Sequence, residues 1–568
     1  MDFELNLTLE ELEDRVSNER LKTIELLNDS SDCYKNLNND DKMVLCHLVR
    51  AGSYIEKIHY RLQNEDNLPF LEWLNKNGND KAVSLTKVLF LAQKNISTID
   101  TEGNAFSLAK GDYDILGKGF YPKDLKRDEF HDIINTMLDN GLVEEVKNIL
   151  SNRSVVIRDG SLLKGIDYVE YFKEEFSACC KELAKAKEYC SDIDFCKYLD
   201  LQILALTYTD PYMDAFADFK WAANDKTMFE FTITRESYED GLTPTLFENH
   251  DLKKRLKESG ITVLAKDSIG VRVGIVNKEG TDLIHTVSKL TEIAKKHMPY
   301  RGEYKSVRNE EKSKQTVADV DLIALFGDTG AYNGGVTLAE NLPNDDKYAH
   351  LIGGGNRNVY HRQVRYSGKQ KYIGYLHENY HKFFNPEADH LATICHENTH
   401  SLGPDSTTLG KYSHIMEELK ADMGMFAFSN EYIESGAFSE ETVQEIIVTI
   451  VTSNFLKNKP KLEQAHRVRQ LMYTNRFLEE KAIYFDEDFK LNIDYKKVIE
   501  VSKIILKEVV RLQIDSNPAL AKEYIDKYFN WNDQVKRVAE DIKANSKILN
   551  GRLYEPLKEK MLSKNFKP

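Results

Sequence analysis

Apolar residues recur at helical spacing through roughly the first 225 residues of the chain. Segments 44–49 and 133–138 place apolar side chains three to four positions apart, which is the period of an amphipathic helix. Segment 168–207 continues the pattern with several aromatic residues, which we interpret as packing residues rather than as a cofactor site. The N-terminal part of the chain is therefore predicted to be mostly helical.

From about residue 228 the period changes to two, which is typical of strands. The strand signals are at 229–233, 261–264, 270–276, 320–326 and 335–339, with a helical interlude at 280–297 and a polar loop at 301–316. After about residue 375 the pattern is helical almost to the end. Strands in the middle of the chain with helices on either side predict an α+β fold, in which a β-rich lobe packs against a helical one.

Composition narrows the class of protein. The chain has 568 residues, 41% of them hydrophobic and 30% charged, which is long enough for more than one lobe. A net charge of -15 argues against a general nucleic-acid binder and against a basic membrane-binding patch. No run of about 18 apolar residues offers a membrane span, and the N-terminus has no signal-peptide pattern. Seven scattered cysteines suit a reducing compartment, so we expect a cytoplasmic protein.

The most informative stretch reads His396-Glu397-Asn398-Thr399-His400, an H-E-x-x-H pattern. On a helix, positions i and i+4 lie on one face, so both imidazoles can reach a single cation. The glutamate between them can accept a proton from a metal-bound water. The pattern can also arise by chance.

Cys395, just before the first histidine, is either a catalytic thiol or, as we favour, a small buried side chain.

A second block, residues 417–422, reads E-E-L-K-A-D and follows His400 after a turn-forming segment with Gly403 and Pro404. Glu418 and Asp422 form another i, i+4 pair. One of them can complete a catalytic metal set while the other accepts the free ring N–H of a histidine. The alternative interpretation of this block is an exposed acidic helix face. The two motifs together favour a metallohydrolase, most readily a peptidase.

With both motifs in place, the chain resembles the dipeptidyl peptidase III family of zinc exopeptidases, in the branch whose metal motif has five residues and is followed by Gly-Pro. The resemblance extends from roughly residue 205 to 485. It implies one zinc ion per chain, with His396, His400 and Glu418 as ligands, Glu397 as general base, and Glu417 and Asp422 as outer partners of the histidines.

The resemblance also implies residues that hold substrate. Glu236 would meet the free amino group of a peptide, Tyr238 would polarise the scissile carbonyl, and Asn341 and Asn344 would hold the peptide backbone and amino terminus. His466 would assist the tetrahedral intermediate. Each can instead be structural, Glu236 and Tyr238 in a turn and His466 as a core histidine.

The sequence departs from the family in several places. The animal and fungal members have a six-residue H-E-x-x-G-H motif, so the pose of a substrate can differ here. The basic residues that animal enzymes use on the carboxyl side of the substrate find no match, and Gln470 stands where one is expected. The plant relatives carry an added Nudix domain, and no Nudix box is visible in this sequence.

The predicted architecture has two lobes, with the active site in a cleft between them. A mostly helical lobe would bear the zinc, and the other would hold a mixed, barrel-like sheet with helices. The predicted boundaries are 1–277 for the lower lobe, 278–318 for a helical insertion into the upper lobe, 319–375 for the β-rich remainder of the lower lobe, 376–545 for the catalytic lobe and 546–568 for a C-terminal tail.

The predicted function is zinc-dependent release of N-terminal dipeptides from short peptides, with Glu397 as general base. The alternatives are a zinc aminopeptidase or oligopeptidase of other specificity, or a catalytically weak peptide-binding homologue. The expected partners are short peptides, with no nucleic acid and no membrane, and the chain is expected to be a monomer or a homodimer.

Overall fold

A computed structural model describes most of the chain. The described residues are 2–18, 20–99, 105–224, 226–237, 240–243, 245–261, 263, 266–282, 290–304, 316–327, 339–342, 357–364, 369–400, 402–404, 409, 412–460, 462, 464–545 and 550–568. They form helices and a curled mixed sheet, so the predicted α+β class is confirmed. Among these residues, no helix is both long and apolar enough to cross a membrane.

The chain divides into two compact units. Unit 1 contains Met1–Asn277, Lys314–Val364 and Ile548–Pro568, and unit 2 contains Lys278–Ser313 and Arg365–Lys547. Unit 2 is therefore formed by two segments inserted into the sequence of unit 1.

A five-stranded mixed sheet forms the centre of unit 1. Its strands are β1 (Phe229–Ser237), β2 (Asp267–Asn277), β3 (Thr316–Gly327), β4 (Ala339–Leu342) and β5 (Arg357–His361). They are ordered β1-β2-β3-β5-β4, and all neighbours are antiparallel except β3 and β5. The long apolar runs of β2 and β3 are buried, because helices of unit 1 cover the sheet.

A buried ionic cluster links the strands of this sheet. The Glu230 carboxylate lies 3.6 Å from Nε of Arg272 and 3.3 Å from Nη2 of Arg357, and all three side chains are almost fully buried. Trp221 donates to Glu230 from its indole N–H at 3.0 Å. A buried charge without a partner is costly, so this cluster favours the arrangement in which β1, β2 and β5 lie in the same sheet.

Helices make up most of the remainder of unit 1. The longest, Asn39–Gln63, packs on β2 and β3 and on the helix Lys173–Tyr189. The others are Leu9–Val16, Asp32–Lys35, Asn67–Lys76, Lys81–Gln93, Arg127–Asp139, Val143–Leu150, Tyr168–Tyr171, Ile193–Ala205, Pro211–Ala222, Thr245–Glu248, His250–Glu258 and Pro556–Leu562, with a 3-10 helix at Arg362–Val364.

The described residues of unit 1 also form three short strand pairs. Ser97–Ile99 pairs with Ala105–Ser107, and Ser154–Asp159 with Leu162–Asp167, both antiparallel. Leu21–Glu25 pairs in parallel with Asn550–Tyr554. The helical pattern at the start of the chain gave no signal for these strands.

The described residues of unit 2 are almost entirely helical. Its helices are Leu290–His297, Pro386–His400, Ser413–Ala427, Ser429–Glu434, Glu440–Ser453, Ala465–Glu479, Tyr495–Asp515, Pro518–Tyr528 and Asp533–Asn545, with 3-10 helices at Lys369–Tyr375 and Glu378–Phe383 and a hairpin of Ile483–Phe485 with Leu491–Ile493. Three of them carry the site and are named here by their contents: the histidine helix (Pro386–His400), the acidic helix (Ser413–Ala427) and the His466 helix (Ala465–Glu479).

The predicted strand at 261–264 is wrong at its two described residues. Ile261 and Val263 lie outside any strand, and β2 begins only at Asp267. Ile261 instead donates its N–H to the carbonyl of Leu256, after Gly260 with a φ of +68° ends the helix His250–Glu258. This is a Schellman ending, in which the apolar residue after the glycine packs back on the helix. The segment 261–264 therefore looked like a strand because a helix ending also uses an apolar residue there.

Candidate metal centre

The histidine helix places both imidazoles on one face. It begins after Asn385, whose Oδ1 accepts the N–H of Glu387 at 3.0 Å, and Pro386 occupies its first position. His396 and His400 occupy its last turns. Their ring centroids are 4.6 Å apart with planes at 88°, and the two Nε2 atoms are 3.0 Å apart. The expected i, i+4 geometry is therefore present.

The chain reverses sharply after the histidine helix. The N–H of Leu402 donates to the carbonyl of Thr399 at 3.0 Å, and Gly403 has a φ of +90°, a conformation that favours glycine. A Cβ at Gly403 would also lie 3.2 Å from Cδ of Lys420. Gly403 therefore lies directly against the acidic helix.

Gly424 lets the two helices approach closely. A Cβ at this position would lie 2.6 Å from Oγ1 of Thr399, well inside van der Waals contact. Thr399 is fully buried and stands between the two histidines in sequence. The glycine therefore sets how near the acidic helix, and its carboxylates, can come to the imidazoles.

Glu418 faces both histidines. Its Oε2 lies 3.4 Å from Nε2 of His396, and its Oε1 lies 3.7 Å from Nε2 of His400. Ligand atoms around a tetrahedral zinc, with bonds of about 2.0–2.1 Å, are about 3.3 Å apart. The three observed separations, 3.0, 3.4 and 3.7 Å, are close to that spacing.

The donor set suits a divalent cation. Among the described residues, His396, His400 and Glu418 are the group of histidine, cysteine or acidic side chains whose ligand atoms all lie within 4.8 Å of one another. Oε2 of Glu418 is buried, and within the described part of the chain no hydrogen bond of good geometry reaches it. Two imidazole nitrogens and one such carboxylate are the ligand types of a catalytic zinc site.

A carboxylate stands behind each histidine. Nδ1 of His396 lies 2.7 Å from Oδ1 of Asp422, and Nδ1 of His400 lies 3.2 Å from Oε1 of Glu417. Each ring can therefore donate from Nδ1, so that Nε2 binds a cation once that nitrogen has lost its proton.

These contacts shift the pKa values of the site. Although burial opposes the charged ring, the neighbouring Asp422 and Glu418 carboxylates raise the pKa of His396 to about 9. Burial also opposes the charged carboxylates, yet the pKa of Glu418 is lowered by His396, His466 and Arg469, and that of Asp422 chiefly by Arg469. The pKa of Glu417 is lowered by His400 and Lys420 against the effect of burial. All three carboxylates are thus held ionised.

Three further side chains belong to the centre and were not predicted. Arg469 reaches Asp422 and Glu418, Lys420 lies 2.7 Å from Glu417, and Gln513 donates to Glu417 at 3.1 Å. Lys420 stands inside the second motif and Arg469 lies three positions after His466, so helical spacing could have indicated both. Gln513 is far away in sequence and has no such signal.

His466 lies beside the three proposed metal ligands. Its side chain is 70% exposed, yet Nδ1 lies 3.0 Å from Oε2 of Glu418. It is therefore not a core histidine. Gln470, where a basic residue was expected, donates to Oδ1 of Asn454 at 3.1 Å.

Cys395 is buried, and burial raises the pKa of its thiol to about 12. This supports the interpretation of Cys395 as a packing residue, because a nucleophilic cysteine needs an accessible thiolate.

The remaining predicted residues can be placed only in part. Tyr238 and Asn344 lie outside the described residues, as do the side chains of Glu397, Glu236 and Asn341. The backbone of Glu397 is in the histidine helix. Those of Glu236 and Asn341 are in β1 and β4, the two edge strands of the sheet in unit 1.

Known structures share this fold. The structure of DPP III from Caldithrix abyssi superposes with a TM-score of 0.78 at 20% identity, covering 95% of this chain and 98% of that one. Dipeptidyl-peptidase III from Corallococcus sp. strain EGB gives a TM-score of 0.71 at 17% identity, covering 99% of both chains. The resemblance found in the motifs is thus confirmed at the level of the fold.

A sequence relative is also found among characterised proteins. Nudix hydrolase 3 of Arabidopsis thaliana is 22% identical over 572 aligned positions, which cover 89% of this chain and 69% of the plant protein. No protein-family model matches the chain.

Proposed function

We propose that this chain is a zinc-dependent dipeptidyl peptidase, which releases dipeptides from the amino termini of short peptides. The observation that carries the proposal is the convergence of His396, His400 and Glu418, with a carboxylate behind each histidine. The fold shared with two dipeptidyl peptidase III structures supports the substrate class.

In this proposal His396, His400 and Glu418 hold the zinc ion. When bound, the ion supplies a Lewis acid that lowers the pKa of water and polarises a carbonyl. Glu397 takes the proton of the attacking water and passes it to the leaving amine. Tyr238 and His466 donate hydrogen bonds where negative charge develops on the carbonyl oxygen.

The dipeptidyl specificity is assigned to residues that bind the free amino terminus. An ammonium group needs acceptors, and Glu236 supplies a carboxylate while Asn341 and Asn344 supply amide oxygens. Binding the terminus at a fixed distance from the reacting carbonyl defines which peptide bond is cut. Nucleotide hydrolysis, which the name of the plant relative would suggest, is not proposed, because the sequence carries no Nudix box.

The test compares metal-stripped with zinc-loaded protein. The substrates are peptides of about four to eight residues, each prepared with a free and with an acetylated amino terminus. Mass spectrometry identifies the products. We expect dipeptides from the free peptides, loss of activity with a chelator, and recovery when zinc is added back.

Other products would contradict the proposal in distinct ways. Release of single residues would indicate an aminopeptidase. Equal cleavage of acetylated and free peptides would indicate an oligopeptidase. Saturable peptide binding without turnover at full zinc occupancy would indicate a binding protein, and activity that chelation leaves unchanged would remove the metal from the reaction.

A further inference from the structure

Arg469 makes contacts that extend across the metal centre. Its Nε lies 3.0 Å from Oδ2 of Asp422 and 3.4 Å from Oε2 of Glu418. Its Nη1 donates to the carbonyl of His466 at 2.9 Å. The side chain is 11% exposed, so these contacts are made largely out of water. One guanidinium thus contacts a proposed ligand, an outer carboxylate and the first turn of the His466 helix.

The two oxygens of Asp422 have different partners. Oδ1 is 2.7 Å from Nδ1 of His396, and Oδ2 faces Arg469. A carboxylate held at both oxygens cannot rotate about its last bond without losing one of them. The orientation of the His396 ring is therefore coupled to the position of Arg469.

The second histidine has a parallel arrangement with a different cation. Glu417 stands behind His400 and is paired with Lys420, whose Nζ also donates to the carbonyl of Leu402. Lys420 is on the acidic helix itself and contacts that helix and the adjoining turn. Arg469 comes from another helix, and its Nε lies within ion-pair distance of two carboxylates.

We propose that Arg469 is a positioning residue for the metal centre, which fixes the Asp422 and Glu418 carboxylates and thereby sets the affinity of the site for zinc. The inference rests on the proposed function, since it takes the three converging side chains as metal ligands. Arg469 does not act on the substrate. It acts through Asp422 on His396 and directly on Glu418.

Arg469 is needed because the site carries several negative charges before an ion binds. Glu417, Glu418 and Asp422 bring three carboxylates onto one stretch of the acidic helix, and like charges repel. Without Arg469, the Asp422 carboxylate is free to turn away from His396 and Glu418 is free to turn away from the imidazoles. A set of ligands that must first be ordered binds its ion less tightly.

The test measures the zinc dissociation constant of metal-stripped protein by competition with a chromophoric chelator, which does not depend on turnover. The variants are R469Q and R469K, with R467Q as the matched control, because Arg467 is an exposed arginine on the same helix. We expect R469Q to weaken zinc binding by about 10- to 100-fold, the usual effect of removing an outer-shell partner. R469K should lie in between, and R467Q should match the unmodified protein.

Activity gives a second readout. If Arg469 sets affinity, peptide cleavage by R469Q is low at limiting zinc and recovers most of its rate at saturating zinc, with little change in KM. A loss of kcat that saturating zinc does not restore, with an unchanged zinc dissociation constant, would overturn the inference.

A double substitution separates positioning from general support of the fold. If Arg469 acts through Asp422, R469Q should weaken zinc binding much less in a D422N background than alone. Equal effects in both backgrounds would contradict that path. Should R469Q fail to fold, R469K and the D422N background carry the same comparison.

The outcomes also distinguish this inference from the proposed function. If the unmodified protein binds no zinc stoichiometrically, the metal centre itself is wrong. If it binds zinc and R469Q and R469K bind equally well, only the role of Arg469 is wrong.

Discussion

Gly424 lies directly against Thr399, the residue just before the second histidine of the metal motif. The contact joins the acidic helix to the histidine helix at the point where their ligands meet. The distance between the imidazoles and the Glu418 carboxylate therefore depends on a residue with no side chain, which neither metal motif includes.

Replacing Gly424 by alanine should push the two helices apart. The added Cβ would overlap the buried Thr399 side chain, and overpacking of this kind costs about 1–3 kcal/mol. We expect a lower free energy of unfolding in urea and weaker zinc binding. Gly374→Ala is the control, because a Cβ there meets nothing within 4 Å. Unchanged zinc affinity in Gly424→Ala would show that the helix spacing does not govern the ligands.

Replacing Glu397 by glutamine should separate chemistry from metal binding. The amide cannot accept the proton of the attacking water, and the loss of a general base reduces kcat by about 100- to 10,000-fold. Zinc content and the melting temperature should stay as they are. Glu434→Gln serves as control, since Glu434 is exposed at the end of the helix Ser429–Glu434. A rate within twofold of the unmodified protein, which is a change of about 0.4 kcal/mol in activation free energy, would remove Glu397 from the mechanism.

Replacing Glu236 by glutamine should reduce the preference for a free amino terminus. Without the carboxylate the ion pair with the substrate's ammonium group is lost, which should lower kcat/KM for free peptides by about 10- to 100-fold, while cleavage of acetylated peptides stays low. The ratio of the two rates is the quantity to measure. Glu248→Gln is the control, because Glu248 is an exposed glutamate of unit 1. An unchanged ratio would mean that other residues recognise the terminus.

The metal-free protein should lose stability as pH rises towards 9. The pKa of His396 is raised to about 9 in the folded chain, above its ordinary value of about 6.5, so the charged ring stabilises the fold fully below pH 6.5. That contribution disappears as the ring loses its proton near pH 9. Unfolding free energies of metal-stripped protein and of His396→Gln should be compared from pH 6 to 10. A difference between them that stays constant with pH would contradict the assigned shift.

Local patterns in the sequence predicted the helix that carries His396 and His400 and the turn at Gly403. They also predicted that a second helix returns with Glu418, because each of these depends on neighbours within a few residues. The role of Arg469 was not predicted. Helical spacing places Arg469 one turn after His466 on the same helix, but the sequence does not show which carboxylates that face meets.

Strands were predicted where a run of neighbouring residues carried the signal, and were missed where the pairing partner is remote in sequence. The pattern at 320–326 gave β3, because its residues are buried on both faces. Ile261 was misread, since an apolar residue that packs back on a helix end has the same hydrophobic signature as a strand residue. The pair Leu21–Glu25 and Asn550–Tyr554 gave no signal, because each is short and its partner is remote.

That remote pair has a consequence for how the polypeptide is made. Thr23 and Arg552 are bonded across 529 positions, so the strand at Leu21–Glu25 has no partner until all of those positions have been synthesised. Unit 2 ends before Asn550, so it can fold while the strands Leu21–Glu25 and Asn550–Tyr554 are still unpaired. A nascent chain stalled before residue 550 would therefore expose an open strand edge, which is a site for association with chaperones or other chains.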